Sequence, residues 1–132
     1  MTESTDLENL PGYKKKSFTL PYNGGEIWFE HLDGMYDYEK LVLKKLEADI
    51  CFFTRPSSTS YICFAFHETT VTDRIYNAVS DAILKNNKRF MKIAMSGLDK
   101  RNKNRFRHEL TGKGFAIGFV DGLEDAKMWL LP

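Results

Sequence analysis

Apolar and polar positions change their period from block to block along this chain, and each change predicts an element. From Tyr61 to Phe66 almost every residue is apolar or aromatic, which suits a strand covered on both faces at the centre of a sheet. A threonine-rich stretch follows. Ile75, Ala78, Val79, Ala82 and Ile83 then recur at helical spacing on one face. Thr70 or Thr72 is placed to cap this helix, with Asp73 three residues after Thr70, close to a capping box.

The flanking pattern extends the same logic. Two short β-favouring runs on either side of Asn23-Gly24-Gly25 predict a hairpin, and Pro21, with no amide to donate, belongs on an edge strand. Tyr38, Leu41, Val42 and Leu46 share one face of an amphipathic helix over about 36–48. Glu39, Lys40, Lys44, Lys45 and Glu47 occupy its outside. Ile50 to Phe53 reads as a short extended segment that tucks Phe52 or Phe53 under that helix, and 57–60 reads as a loop. Phe90 to Met95 is a second apolar strand. Leu98, Asn102, Phe106 and Leu110 mark the inner line of a helix over 99–110, and Phe115 to Val120 is a last strand. A terminal helix over 123–131 offers Ala126, Met128, Trp129 and Leu130 for packing. The order ββαβαβαβα predicts an α/β fold: a mixed, largely parallel sheet with an N-terminal hairpin and flanking helices.

Composition narrows the class. The 132 residues suit one domain, read as 13–132 behind a polar arm at 1–12, and the 14% aromatic content argues against disorder. No apolar run approaches the eighteen residues of a membrane span, and the first residues are acidic rather than signal-like, so a cytoplasmic location is expected. Cys51 and Cys63 lie in apolar surroundings without CxxC spacing, which suggests two buried free thiols. His31, His67 and His108 are too scattered for a metal site, and no cofactor motif is complete. The aromatic stock, notably Trp28, Phe29, Phe64, Phe66 and Trp129, reads as core.

The net charge of +1 hides an asymmetry. Between Lys85 and Lys113 lie ten of the nineteen basic residues and two of the eighteen acids, so this stretch carries +8 and the rest −7. Lys100, Arg101, Lys103, Arg105 and Arg107 crowd one helix with no interleaved acid, a surface for an acidic protein partner. Nucleic acid is disfavoured, because the one aromatic there, Phe106, is needed inside. His67 and Glu68 end the central strand, where α/β sheets place their sites. Thr69, Thr70 and Thr72 would hold a phosphate near a helix N-terminus, although capping is the commoner use of such residues. No nucleophile with a base can be assembled, so an enzyme is not expected.

With these elements in place, the chain resembles the STAS-like family, small domains related to the bacterial anti-sigma factor antagonists. The resemblance rests on the strand Ile62 to Phe66 running into Thr69-Thr70-Val71-Thr72, on Lys92-Ile-Ala-Met-Ser-Gly97, and on the closing Phe119-Val-Asp-Gly-Leu-Glu-Asp-Ala-Lys-Met-Trp-Leu130. It covers roughly residues 26–131. In the antagonists, a Ser or Thr at the turn into the helix after the central strand is phosphorylated by a partner kinase. The matching positions are Thr69, Thr70 and Thr72, here followed by Asp73, Arg74, Ile75 and Tyr76 rather than by small residues. The resemblance implies a non-enzymatic signalling module that docks through residues 67–74. The alternative expectation, from the aromatic load, is a carrier of a small apolar or lipid-like ligand held between sheet and helices.

Overall fold

A computed structural model describes residues 9–22, 25–55 and 59–131. A helical turn, α1 (Pro11–Lys14), precedes strand β1 (Phe18–Tyr22), which pairs antiparallel with β2 (Gly25–His31). Strands β3 (Tyr61–Ala65), β4 (Lys92–Ser96) and β5 (Ala116–Val120) follow in parallel, so that strand order equals chain order. Helices α2 (Glu39–Phe53), α3 (Asp73–Lys85) and α4 (Lys100–Leu110) make the crossovers, and α5 (Leu123–Leu130) closes the chain. The expected α/β sheet, mixed and mostly parallel with an N-terminal hairpin, is therefore present. The hairpin residues Asn23 and Gly24, and 57–58 of the expected loop, lie outside the described residues.

Alternation along the strands sorts the side chains into two cores. Trp28, Ile62, Phe64, Ile93 and Met95 face α2, α3 and α4, where Leu46, Phe53, Val79, Ile83 and Phe106 meet them. The opposite face carries Ile27 and Phe29 of β2 beside the smaller Cys63 and Ala94 of β3 and β4, and receives Ala126, Leu130 and Leu131 at the α5 end of the chain. Trp129 lies directly on Gly118, where an added Cβ would stand 2.5 Å from the ring. Large residues on one side thus accommodate three helices, and small ones let a single helix lie close. β3 and β4 pair Ile62 with Ile93 and Phe64 with Met95, and β3 is the central strand, as its unbroken apolar run requires. β1 is an edge strand, which accommodates Pro21.

Several positions differ from the sequence expectation. Ile50 to Phe53 is not extended: it is the last turn of α2, because Val42, Leu46, Ile50 and Phe53 continue the helical period without a breaker. Phe53 is buried and meets Phe64 edge to face at 5.8 Å, while Phe52 is 46% exposed. Tyr38, expected on the inner face, precedes the helix and is exposed. Lys45, expected outside, is buried. Cys51 is exposed and only Cys63 is buried. Met128 is also exposed, while Ala126, Leu130 and the half-buried Trp129 pack against the sheet. At the start of the domain, Gly12 is buried against the main chain of Asp33 and Gly34.

Candidate functional site

The parallel sheet directs its carboxyl ends to one edge, where a ridge of two segments forms. After β2, residues 32–38 run alongside 65–70 and continue the parallel pairing beyond the strands. Leu32, Gly34 and Tyr36 donate their amides to Ala65, His67 and Glu68 at 2.9, 2.8 and 2.7 Å, and Thr70 donates back to Tyr36 at 2.8 Å. Two non-glycine residues in this ridge hold left-handed backbone, Tyr36 at φ 46° and Glu68 at φ 57°. Such a conformation costs of order 1–3 kcal/mol per residue and persists where the surroundings over-determine it. Beneath the ridge, Gly97 (φ 78°) closes against it so tightly that a Cβ would stand 2.4 Å from the His67 nitrogen.

The three threonines have separate tasks. Thr69 donates its hydroxyl to the Leu32 carbonyl at 2.7 Å and accepts from the Met35 amide at 3.0 Å, riveting the two segments. Thr72 is the cap of α3, accepting from the Ile75 amide at 3.3 Å and donating to Glu39 Oε2 at 2.5 Å. Asp73 is the first residue of α3 rather than the far end of a capping box. Thr70 is the exposed member, and its hydroxyl donates to Asp37 Oδ1 at 2.5 Å. Tyr36, Asp37, Tyr38, His67 and Glu68 are exposed with it.

Helix α4 begins beside this ridge. Asp99 caps it through the Asn102 amide, and the buried Asn102 side chain donates to Val71 at 3.1 Å. His67 and Lys103 consequently share a small cleft of about 130 Å³ with Met95, Gly97, Leu98, Val120 and Asp121. The cations of α4 are less free than their density in the sequence implies. Arg105 pairs with Asp73 at 2.8 Å and lies 3.9 Å over the Tyr76 ring, and Arg101 approaches Asp73 at 3.8 Å. Arg107 covers Phe119 at 4.9 Å. The acid that balances Arg101 and Arg105, Asp73, comes from a neighbouring helix, which a count along one segment misses. Glu109 accepts from Tyr76 and Ser80, both at 2.9 Å, and these bonds hold its carboxyl below the usual range. Burial, with the adjacent Glu109, pushes the Tyr76 phenol up to about 12. Lys100 projects into solvent.

Beside the β1–β2 edge of the sheet, between α1 and the second half of α2, lies an open-sided cavity of about 450 Å³. Tyr13, Trp28 and Phe52 supply aromatic walls, and Lys14, Lys15, Lys16, Lys45, Ser17 and Asp49 the polar groups. A buried charge network supports it from below. The Lys45 ammonium donates to the main-chain oxygens of Lys15 and His31, tying the strand entry to the sheet. Burial lowers the Lys45 pKa, opposed by Glu30, Asp49 and Asp33. Glu30 accepts the Trp28 indole N–H at 2.9 Å. Burial, reinforced by the neighbouring Asp49, pushes Glu30 up to about 9, so it is neutral at pH 7. Its Oε2 and the buried His31 Nε2 have no hydrogen-bond partner among the described residues. Burial raises the Asp33 carboxyl, but hydrogen bonds from His31 and Lys15 prevail and bring it down to about 2.

None of the cavity residues was selected as a site by sequence reasoning. A lysine three and four positions from Val42 and Leu41 on an inward helical face, and a glutamate in an apolar strand, were the available signals. Among the described residues, no His, Cys, Asp and Glu group can hold a metal ion, and no helix is long and apolar enough to cross a membrane. Comparison with protein-family models, curated proteins and solved structures found no match.

Proposed function

We propose that the chain is a non-enzymatic, cytosolic protein-interaction module of STAS-like type that docks through the ridge of residues 34–38 and 67–70. One observation carries this reading: Tyr36 and Glu68, both in left-handed backbone, are joined by a hydrogen bond at the carboxyl edge of the sheet and are exposed there together with Tyr38, His67 and Thr70. Tyrosines held rigidly at a surface are favourable anchors, because they bury a large area at little cost in side-chain freedom. Lys100, Arg101 and Arg107 add positive potential on the helix that starts beside the ridge, which suits an acidic partner and would speed its association.

Within the threonine turn, Thr70 is the hydroxyl that a kinase would reach. A phosphate there would meet the Asp37 carboxylate now 2.5 Å from the oxygen, and the repulsion would pull the two segments apart. A photo-crosslinker placed at Glu68 tests the docking surface. It should capture, in cells of the native host, a protein that the same group at the exposed Met128 does not, and Tyr36→Ala with Tyr38→Ala should abolish that capture. Identical products from positions 68 and 128 would reject the ridge as a docking surface.

A further inference from the structure

We infer that the cavity between α1, the entry to β1 and the second half of α2 is a binding site for a small aromatic anion. Its volume of about 450 Å³ lies in the range of small-molecule sites, which combine apolar walls with a few placed polar groups. The walls are flat. Trp28 and Phe52 are nearly parallel, with 14° between planes and centroids 6.5 Å apart, and Tyr13 adds a third aromatic group. Phe52 keeps 46% of its surface in solvent although Phe53 beside it is fully packed, and the Arg55 guanidinium, 5.3 Å from the Phe52 centroid, is the cation that already lies over this ring.

The sign of the charge follows from what each polar group already does. Lys15 is paired with Asp33 at 3.1 Å, and Lys45 is committed to two main-chain oxygens. Asp49 accepts from Ser17 at 2.9 Å and is the one acid among the lining residues. Glu30 below it is neutral at pH 7. Lys14 and Lys16 remain, both exposed and without an ion pair among the described residues. The cavity therefore presents surplus positive charge beside stacking surface. An inorganic anion would leave the rings unused, and a neutral apolar cargo would leave the lysines unused.

Three matched probes separate these contributions: 2-naphthoate, its neutral analogue 2-naphthamide, and cyclohexanecarboxylate, which keeps the charge without the aromatic plane. The readout is the indole N–H resonance of Trp28, distinguished from that of Trp129 by a Trp129→Phe variant. Naphthoate should shift the Trp28 signal saturably while Trp129 stays still, with about tenfold or greater preference over each of the other two probes. Lys14→Gln with Lys16→Gln should remove the preference for naphthoate over naphthamide and leave the melting temperature unchanged, since both side chains are exposed. Phe52→Leu should weaken naphthoate and naphthamide and leave cyclohexanecarboxylate unchanged. Equal binding of naphthoate and naphthamide would replace the proposal with a neutral-cargo carrier. Equal binding of the alicyclic acid would exclude the stacking role, and a static Trp28 resonance would exclude the site.

Discussion

The contact of Gly97 with the turn after β3 gives the sharpest test of how the ridge is held. Replacing Gly97 with Ala introduces two separable costs. The first is conformational: at φ 78°, a Cβ costs about 1–2 kcal/mol relative to glycine. The second is steric. The new carbon would lie 2.4 Å from the His67 nitrogen and 2.8 Å from His67 Cα and the Phe66 carbonyl carbon, all main-chain atoms that cannot rotate away. Relief to an ordinary contact needs a displacement of about 1 Å, and that stretches the bond from the Phe66 amide to the Ser96 carbonyl, now 2.9 Å, out of range. A buried amide left without a partner costs about 1–3 kcal/mol. Gly97→Ala should therefore lose about 2–5 kcal/mol in urea unfolding. Gly112 supplies the control, because it has φ 80° and nothing within 4 Å of an added Cβ. Gly112→Ala should show only the conformational cost, about 1–2 kcal/mol. If the two variants agree within about 0.5 kcal/mol, Gly97 does not support the ridge in the way described.

Phe64→Ala removes a fully buried ring from the central strand and should cost about 3–5 kcal/mol by urea denaturation; a parent-like transition would mean that the strand is not central. Arg105→Glu loses the Asp73 pair and the Tyr76 stack and adds repulsion, so it should destabilise by about 1–2 kcal/mol. Lys100→Glu, at an exposed position, should stay within about 0.5 kcal/mol; equal losses for the two would mean that the Arg105 contacts contribute nothing. Glu30 keeps its proton to about 9 in the folded chain against 4.5 when unfolded, so its contribution is fully present below pH 4.5 and is lost as pH rises toward 9. Glu30→Gln should accordingly gain in melting temperature relative to the parent between pH 5 and pH 8, and a constant difference across that range would refute the buried neutral carboxyl.

Local pattern carried most of the architecture. A continuous apolar run at Tyr61 to Phe66, helical spacing from Ile75 to Ile83 and the inner line Asn102, Phe106 and Leu110 are properties of neighbouring residues, and each placed its element and face. The alternation of strands and helices then led to the parallel sheet, since a crossover helix brings the chain back beside the strand it left. Where one end of an element depended on continuity, as at Ile50 to Phe53, four apolar residues did not separate a strand from one more helical turn.

The sites depended on residues far apart in the chain. Asp73 meets Arg105 across two helices, Thr70 meets Asp37 across two strand ends, and Lys45 reaches back to Lys15 and His31. The sequence could mark His67 and Glu68 as the end of a central strand, but the left-handed turn at Glu68 and its pairing with Tyr36 come from two segments meeting at the sheet edge. The lysine and aromatic cavity needed α1, β2 and α2 together, because each contributes only part of its wall. Periodicity determines which side of an element is buried; which charges end up side by side is a property of the packed sheet and helices.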